Sequence, residues 1–354
     1  MTAEQLIDWR FAAATARRLV PAGPPVDREQ AHAVVAELRE LAGVAEHHVK
    51  AFTKLDPGDD AGAVVVVDRP GWVAANIDGF RVILEPVVDR LVAKRRMPSP
   101  LALTVGSRVT GAELGSILAY LATKVLGQYG IFLPEGQGTG RLTLVAPNIV
   151  ATERSLGVVP RDFRLWVCLH EMAHRLQFTA VPWLREHLHA EITAYVDAMD
   201  LDPMSLLRRL GQLLGSDVGG NREGDRPSSL IELVQSPAQR AVLDRITAVM
   251  SLLEGHAEYV MDAVGPEVVP SVADIRARFD RRRHDISPFD RIVRQVLGLD
   301  AKMRQYSEGS AFVSGVAQRV GVDGLNEVWR SPDTLPTREE IADPDAWVRR
   351  VVGA

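Results

Sequence analysis

Between positions 170 and 174 the chain reads His170-Glu171-Met172-Ala173-His174, a run that makes chemical sense only as one face of a helix. Residues i and i+4 of a helix lie on one side, about 5–6 Å apart at Cβ. Both imidazoles therefore reach toward one point, as two ligands of a single small cation must. Glu171 points about 100° round the helix from His170. That direction makes it a poor third ligand and a good neighbour for a water on the cation, the place of a general base in metal-assisted hydrolysis.

The flanks bury this helix. Leu165-Trp166-Val167-Cys168-Leu169 precedes the motif and Leu176-Gln177-Phe178 follows it. Pro160 and Asp162 supply a helix start, Thr179 and Pro182 a stop. Two histidines and a glutamate in a core need partners, because an unpaired polar group there costs several kcal/mol. A Zn2+ ion satisfies both rings at once; the plain alternative is a pair of core histidines bonded to backbone or carboxylates. Cys168, about 200° from His170, faces the core and is no ligand.

A second helix is equally legible. Ser236-Pro237-Ala238-Gln239 reads as a capping box with proline in the first turn. Leu243, Ile246, Met250, Leu253, Ala257 and Met261 then recur at helical period to Asp262, before Gly265-Pro266. Within it lies Glu254-Gly255-His256-Ala257-Glu258. Glu254 would complete a His-His-Glu set and leave a fourth tetrahedral corner for water, the open arrangement of catalytic zinc. Glu258, one turn on, could instead fix a ligand imidazole from behind, or exchange roles with Glu254. Gly255 weakens a helix by about 1 kcal/mol, which is tolerable where something must approach the backbone.

His170, Glu171, His174 and the downstream Glu254-x-x-Ala257-Glu258 resemble the gluzincin arrangement of zinc peptidases. The resemblance implies Glu254 as third ligand and Glu258 as the acid that steadies a ligand histidine. More closely, the chain resembles an actinobacterial group of zincin-like metallopeptidases labelled as associated with coenzyme F420 biosynthesis. The segments that carry this likeness are Asp8-Trp9 through Pro21, Val67 through Trp72, Val125 through Tyr129, His170 through Trp183, Leu252 through Asp262, and Arg304-Gln305-Tyr306. Arg175, after the second histidine, stands where such enzymes usually have an uncharged residue, and Glu254 lies 80 residues beyond His174, farther than in compact gluzincins.

The resemblance and the pattern together imply a mainly α fold with a small β-sheet (α+β), the metal helix beside a short sheet edge. A chain of 354 residues can form one domain (1–354) or a half 1–150 packed on a metal-binding half 151–354. Val64–Val67 reads as a short buried strand, and Arg141–Ala146 as a strand ending at Pro147, the expected sheet edge beside the metal. Helices are expected from Asp27 through Leu41, over Ile77–Lys94 with a break near Pro86, and over Thr110–Leu126, Leu184–Met199, Ile292–Leu299, Ala311–Val320 and Leu325–Trp329. Gly215–Ser229 is the clearest loop. Gly136–Gly140 is glycine-rich, but a strand follows it and no lysine is in place, so it is no phosphate loop.

A net charge of −5 gives no pull toward nucleic acid. The basic run Arg276–His284, broken by Asp280, reads as a solvated helix face. One cysteine allows no internal disulfide and fits a reducing compartment. With Glu4, Asp8 and Arg10 near the start and no apolar run of membrane length, the expectation is a cytoplasmic protein without membrane contact. Its partner is a peptide or protein substrate; oligomeric state is not legible.

The expected chemistry is hydrolysis of a peptide bond by zinc-activated water, with Glu171 as proton carrier. A second donor for the tetrahedral oxyanion comes from His256, Tyr259 or Tyr306, with Tyr306 preferred for its place in a family-like segment. His187 and His189 fall on different helix faces and are expected at the surface. Two other classes compete: a zinc-stabilised scaffold, against which Glu171 argues, and a small-molecule amidase, which a closed cleft would favour.

Overall fold

The computed structural model describes residues 6–58, 62–94, 100–133, 140–198, 236–284 and 299–353, side chains at 85–94, 100–104, 282–284 and 299–307 excepted. In chain order the elements are α1 (Trp9–Leu19), α2 (Arg28–Thr53), β1 (Ala63–Val67), α3 (Arg69–Lys94), α4 (Pro100–Leu121), β2 (Gly127–Gly130), β3 (Arg141–Val145), α5 (Ala146–Leu156), α6 (Pro160–Thr179) and α7 (Pro182–Asp197). After a stretch outside the described residues follow α8 (Pro237–Val268), α9 (Val272–His284), α10 (Leu299–Leu325, kinked at Gly321), α11 (Arg338–Ala342) and α12 (Pro344–Val351). Helices dominate and one small sheet interrupts them, the expected mainly α architecture.

The sheet has the order β1-β3-β2, with β1 parallel and β2 antiparallel to β3. Strand residues alternate between faces. Leu142, Leu144 and Tyr129 enter a large core with α2, α6, α8 and α10; Val145 enters a smaller one with Trp9, Trp72, Ile77 and Leu118. The large core draws on Leu38 as well as Val348, so it crosses residue 150. Helix α6 runs through its middle, packed on α2 and α8, with Phe163, Leu169, Met172 and Leu176 fully buried. Each such side chain contributes about 1.5–3 kcal/mol by leaving water.

Local signals set the helix starts. Pro160 and Pro182 stand in the first turns of α6 and α7, and Ser236 forms its capping box with Gln239. Asp162 stands in the first turn of α6 as expected, and its carboxylate also accepts from the backbone and hydroxyl of Ser271 ahead of α9.

Other boundaries differ from expectation. Helix α2 runs on to Thr53, because Gly43 sits in open space and costs only propensity. Helix α3 begins at Arg69 and passes Pro86 without a break, while α4 ends at Leu121. Helix α8 continues through Gly265 and Pro266 to Val268. β1 is a half-buried edge strand, since among the described residues only β3 pairs with it. β3 is no edge at all: hydrogen bonding on both sides makes it the central strand, and the edge near the metal helix is β2. The Gly136–Gly140 reading, except Gly140, and the Gly215–Ser229 loop lie outside the described residues, as does most of Ile292–Leu299.

Candidate metal centre

Helix α6 presents His170 and His174 on one face, as their spacing requires, and helix α8 brings Glu254 against them. The two Nε2 atoms lie 3.2 Å apart. Glu254 Oε2 is 3.5 Å from His174 Nε2 and 3.8 Å from His170 Nε2. Among the described residues these three form a group able to hold a metal, with donor atoms within 4.8 Å of one another. A tetrahedral zinc with bonds of about 2.0–2.1 Å sets its donors roughly 3.3 Å apart. The donor set fits that spacing and that chemistry, two neutral imidazoles and one carboxylate. It also demands positive charge: burial opposes protonation of His174, yet Glu254 and then Glu171 outweigh it, and its pKa rises to about 9.

The ligands are backed by residues with little sequence signal of their own. His174 Nδ1 donates to Gln177 Oε1 at 3.0 Å, which leaves Nε2 as the ligand atom. The Gln177 amide then donates to Leu253 O on α8 at 2.9 Å and to His256 Nδ1 at 3.0 Å. Gln177 is fully buried and joins the two helices that carry the candidate ligands. All that marks it in the sequence is a polar side chain three residues past His174 on an otherwise apolar helix. His170 Nδ1 faces the Met261 thioether at 3.1 Å, a weak acceptor.

Behind Glu254, helix α8 touches α10 at Gly255. A Cβ there would stand 2.2 Å from the Gly309 carbonyl carbon, and one on Gly309 would stand 1.9 Å from Ser251 O. The close approach anticipated for Gly255 is thus a backbone-to-backbone crossing.

Glu171 is 7% exposed and lies on the cavity wall beside the two histidines. Burial raises its pKa to about 7, His174 opposing the shift and Glu254 adding to it. Its side chain rests on Gly127 at the start of β2: a Cβ on that glycine would come within 2.6 Å of the carboxyl carbon. The strand edge and the acid are in direct contact.

The other candidates separate. Glu258 lines the cavity one turn beyond Glu254, while the acceptor behind His174 is Gln177. His256 is corrected as an oxyanion donor. At 2% exposure it sits behind the ligands, accepts from Gln177 and crosses Trp329 edge-on, and burial, then His174, lowers its pKa to about 3. It is a neutral supporting ring that does not line the cavity. Tyr259 turns away to Phe52. The Tyr306 side chain lies outside the described residues. His187 packs on Trp183 and His189 is exposed, both apart from the ligand group. Cys168 is buried toward Leu38. Arg175, the unusual residue after His174, bonds Glu46 on α2 and Gly62 O ahead of β1, so it braces α6 against the sheet. Within the basic run, Arg276 pairs with Asp262 and lines the cavity, so the run is only partly a solvated face.

A model of the zincin-like metallopeptidase family matches residues 7–348. The chain belongs to that family. Membership of the zincin-like metallopeptidases implies a metal, typically zinc, and the donor set above is compatible with one. A crystal structure from Chloroflexus aurantiacus, described as a hydrolase candidate with a novel fold, is similar at 30% identity and a TM-score of 0.72, covering 99% of this chain and all of that one. Both findings support a hydrolase. No curated protein matches. Among the described residues no helix of this zincin-like chain is long and apolar enough to cross a membrane.

Proposed function

We propose that this chain is a zinc-dependent peptidase. The observation that carries the reading is the meeting of three metal-ligand atoms with a separate buried carboxylate, Glu171, at the edge of a strand. A structural site has no use for that fourth group. His170 Nε2, His174 Nε2 and a Glu254 oxygen would hold the ion, which supplies Lewis acidity toward a carbonyl and acidifies water. Glu171 takes the proton from the attacking water and passes it to the leaving nitrogen. Burial works against the charged form of this carboxylate, which helps it hold and release a proton.

The strand β2 explains how a peptide would be held. Only β3 pairs with it among the described residues, so its other side can accept an extended chain by strand addition. Gly127 to Gly130 line a cavity of about 670 Å³ with the ligand face of α6 and α8. Phe178, Leu188, Ile192 and Met250 make part of its wall apolar, suited to an uncharged side chain beside the cleaved bond. That volume also suits a small amide, so amidase activity is the second reading.

The decisive experiment compares wild type with Glu171→Gln by zinc analysis and by digestion of a peptide mixture. Both proteins should carry about one zinc per chain, and hydrolysis should fall about 10²–10⁴-fold in the variant. Zinc binding without cleavage of any peptide, combined with turnover of small amides, would replace the peptidase reading by the second one. Wild-type turnover in Glu171→Gln would remove Glu171 from its role.

A further inference from the structure

The cavity continues round β2 to the other face of the sheet. Along β3, Arg141 and Thr143 alternate with Leu142 and Leu144, so they point away from α6. Their register partners on β2, Gly130 and Gln128, share that side. There Gln128 accepts from Trp72 Nε1 at 2.9 Å and donates to Asn76 Oδ1 at 3.0 Å, which fixes a polar wall. Arg141, Thr143, Gln128 and Asn76 all line the same cavity as the metal ligands.

Arg141 differs from the other arginines in comparable surroundings. Arg164 is held by Glu37 and Glu153, Arg175 by Glu46 and a backbone carbonyl, and Arg276 by Asp262. The half-buried Arg141 guanidinium meets no carboxylate, carbonyl or ring among the described residues. A permanently charged fork turned into a cavity gains most from a planar anion, which it can bind through two parallel hydrogen bonds.

The strand register supplies a ruler. Glu171 meets the sheet at Gly127, which pairs with Leu144; Arg141 pairs with Gly130, three residues farther along β2. At about 3.3 Å per residue that is roughly 10 Å. We propose that Arg141 binds a carboxylate of the substrate, about three residues along an extended chain from the bond that Glu171 attends. This rests on the peptidase reading above. The carboxylate is either an aspartate or glutamate side chain or the chain's own C-terminus.

The test is a set of peptides in which one glutamate moves along the sequence. Each is matched by glutamine and made with a free or an amidated C-terminus. Wild type should cleave the peptide with glutamate two to four residues from the cut bond at least tenfold better than its glutamine match. Arg141→Gln and Arg141→Ala should bring that ratio to about one, and Arg141→Glu should invert it in favour of lysine. A preference for the free over the amidated C-terminus, equal for glutamate and glutamine and lost in Arg141→Gln, assigns the terminus; a glutamate preference that survives amidation assigns the side chain. Glutamate-over-glutamine and free-over-amidated ratios that are both the same in wild type and Arg141→Gln overturn the inference and leave the peptidase reading standing. If no peptide is cleaved, calorimetry on zinc-loaded Glu171→Gln still decides, with N-acetylglutamyl amide against N-acetylglutaminyl amide as probes. Tighter binding of the acid that disappears with Arg141→Gln supports the anion site, and equal affinity overturns it.

Discussion

At α1/α4 and at α8/α10 two helices approach until only glycine fits between them. In the first crossing a Cβ on Gly111 would stand 2.6 Å from Asp8 O, and one on Gly115 2.5 Å from Ala12 O. In the second, the Gly255 and Gly309 backbones meet directly. The device is the same, but its neighbours differ. Gly111 and Gly115 border the smaller core around Trp9 and Leu118 and carry no group of the metal centre. Gly255 follows Glu254 in sequence, so the second crossing sets how far α8 advances toward His170 and His174. Close packing is therefore a matter of stability at one end of the molecule and of ligand position at the other.

The largest effect should come from Gly309→Ala. Overpacking usually costs 1–3 kcal/mol, and Ala recovers about 1 kcal/mol of helix propensity. A Cβ only 1.9 Å from the Ser251 carbonyl oxygen has backbone on its far side and cannot be relieved by a rotamer change. At the top of that range the net loss is about 2 kcal/mol in urea unfolding, and we expect zinc content to fall below half an ion per chain. A variant that unfolds early yet binds zinc like wild type would break the distinction between the two crossings.

Next is Gln177→Met, which keeps the volume but removes the link from His174 to Leu253 O and His256. Loss of such a supporting bond typically weakens metal binding 10–100-fold. Competition with a chelator should show that drop while the α8/α10 crossing stays intact. Unchanged affinity would mean that the glycine crossing alone holds the ligands in place.

Gly115→Ala should do least. Helix propensity offsets part of the clash, leaving about 1–2 kcal/mol of destabilisation. Zinc stoichiometry and affinity should match wild type. Metal loss in this variant would show that the two cores are coupled through the sheet they share.

Much of the centre is legible in the amino-acid sequence. His170 and His174 share a face because the helix period is a local property, and Pro160 and the Ser236 capping box act within one turn. The strand β2 is hidden there, because Gly127 and Gly130 argue against a strand on propensity. β3 pairing makes it one, and the approach of Glu171 leaves no room for a side chain at Gly127. β3 itself reads as a strand, but its central place does not show, since a sequence displays alternation and never which sides are paired. His256 looks available on its helix and is enclosed by Gln177 and Trp329, neither of them near it in sequence.

What the sequence determined alone was the short-range part: an α6 face with two imidazoles, a carboxylate beside them, and a long amphipathic helix bearing Glu254. The tertiary structure decided that Glu254 meets the histidines across 80 residues of chain, that Gln177 ties them to α8, and that Arg141 opens into the same cavity. The reason is physical. Helix period and capping depend on neighbours a few residues away, whereas the depth of a helix crossing and the order of strands depend on which distant surfaces exclude water together.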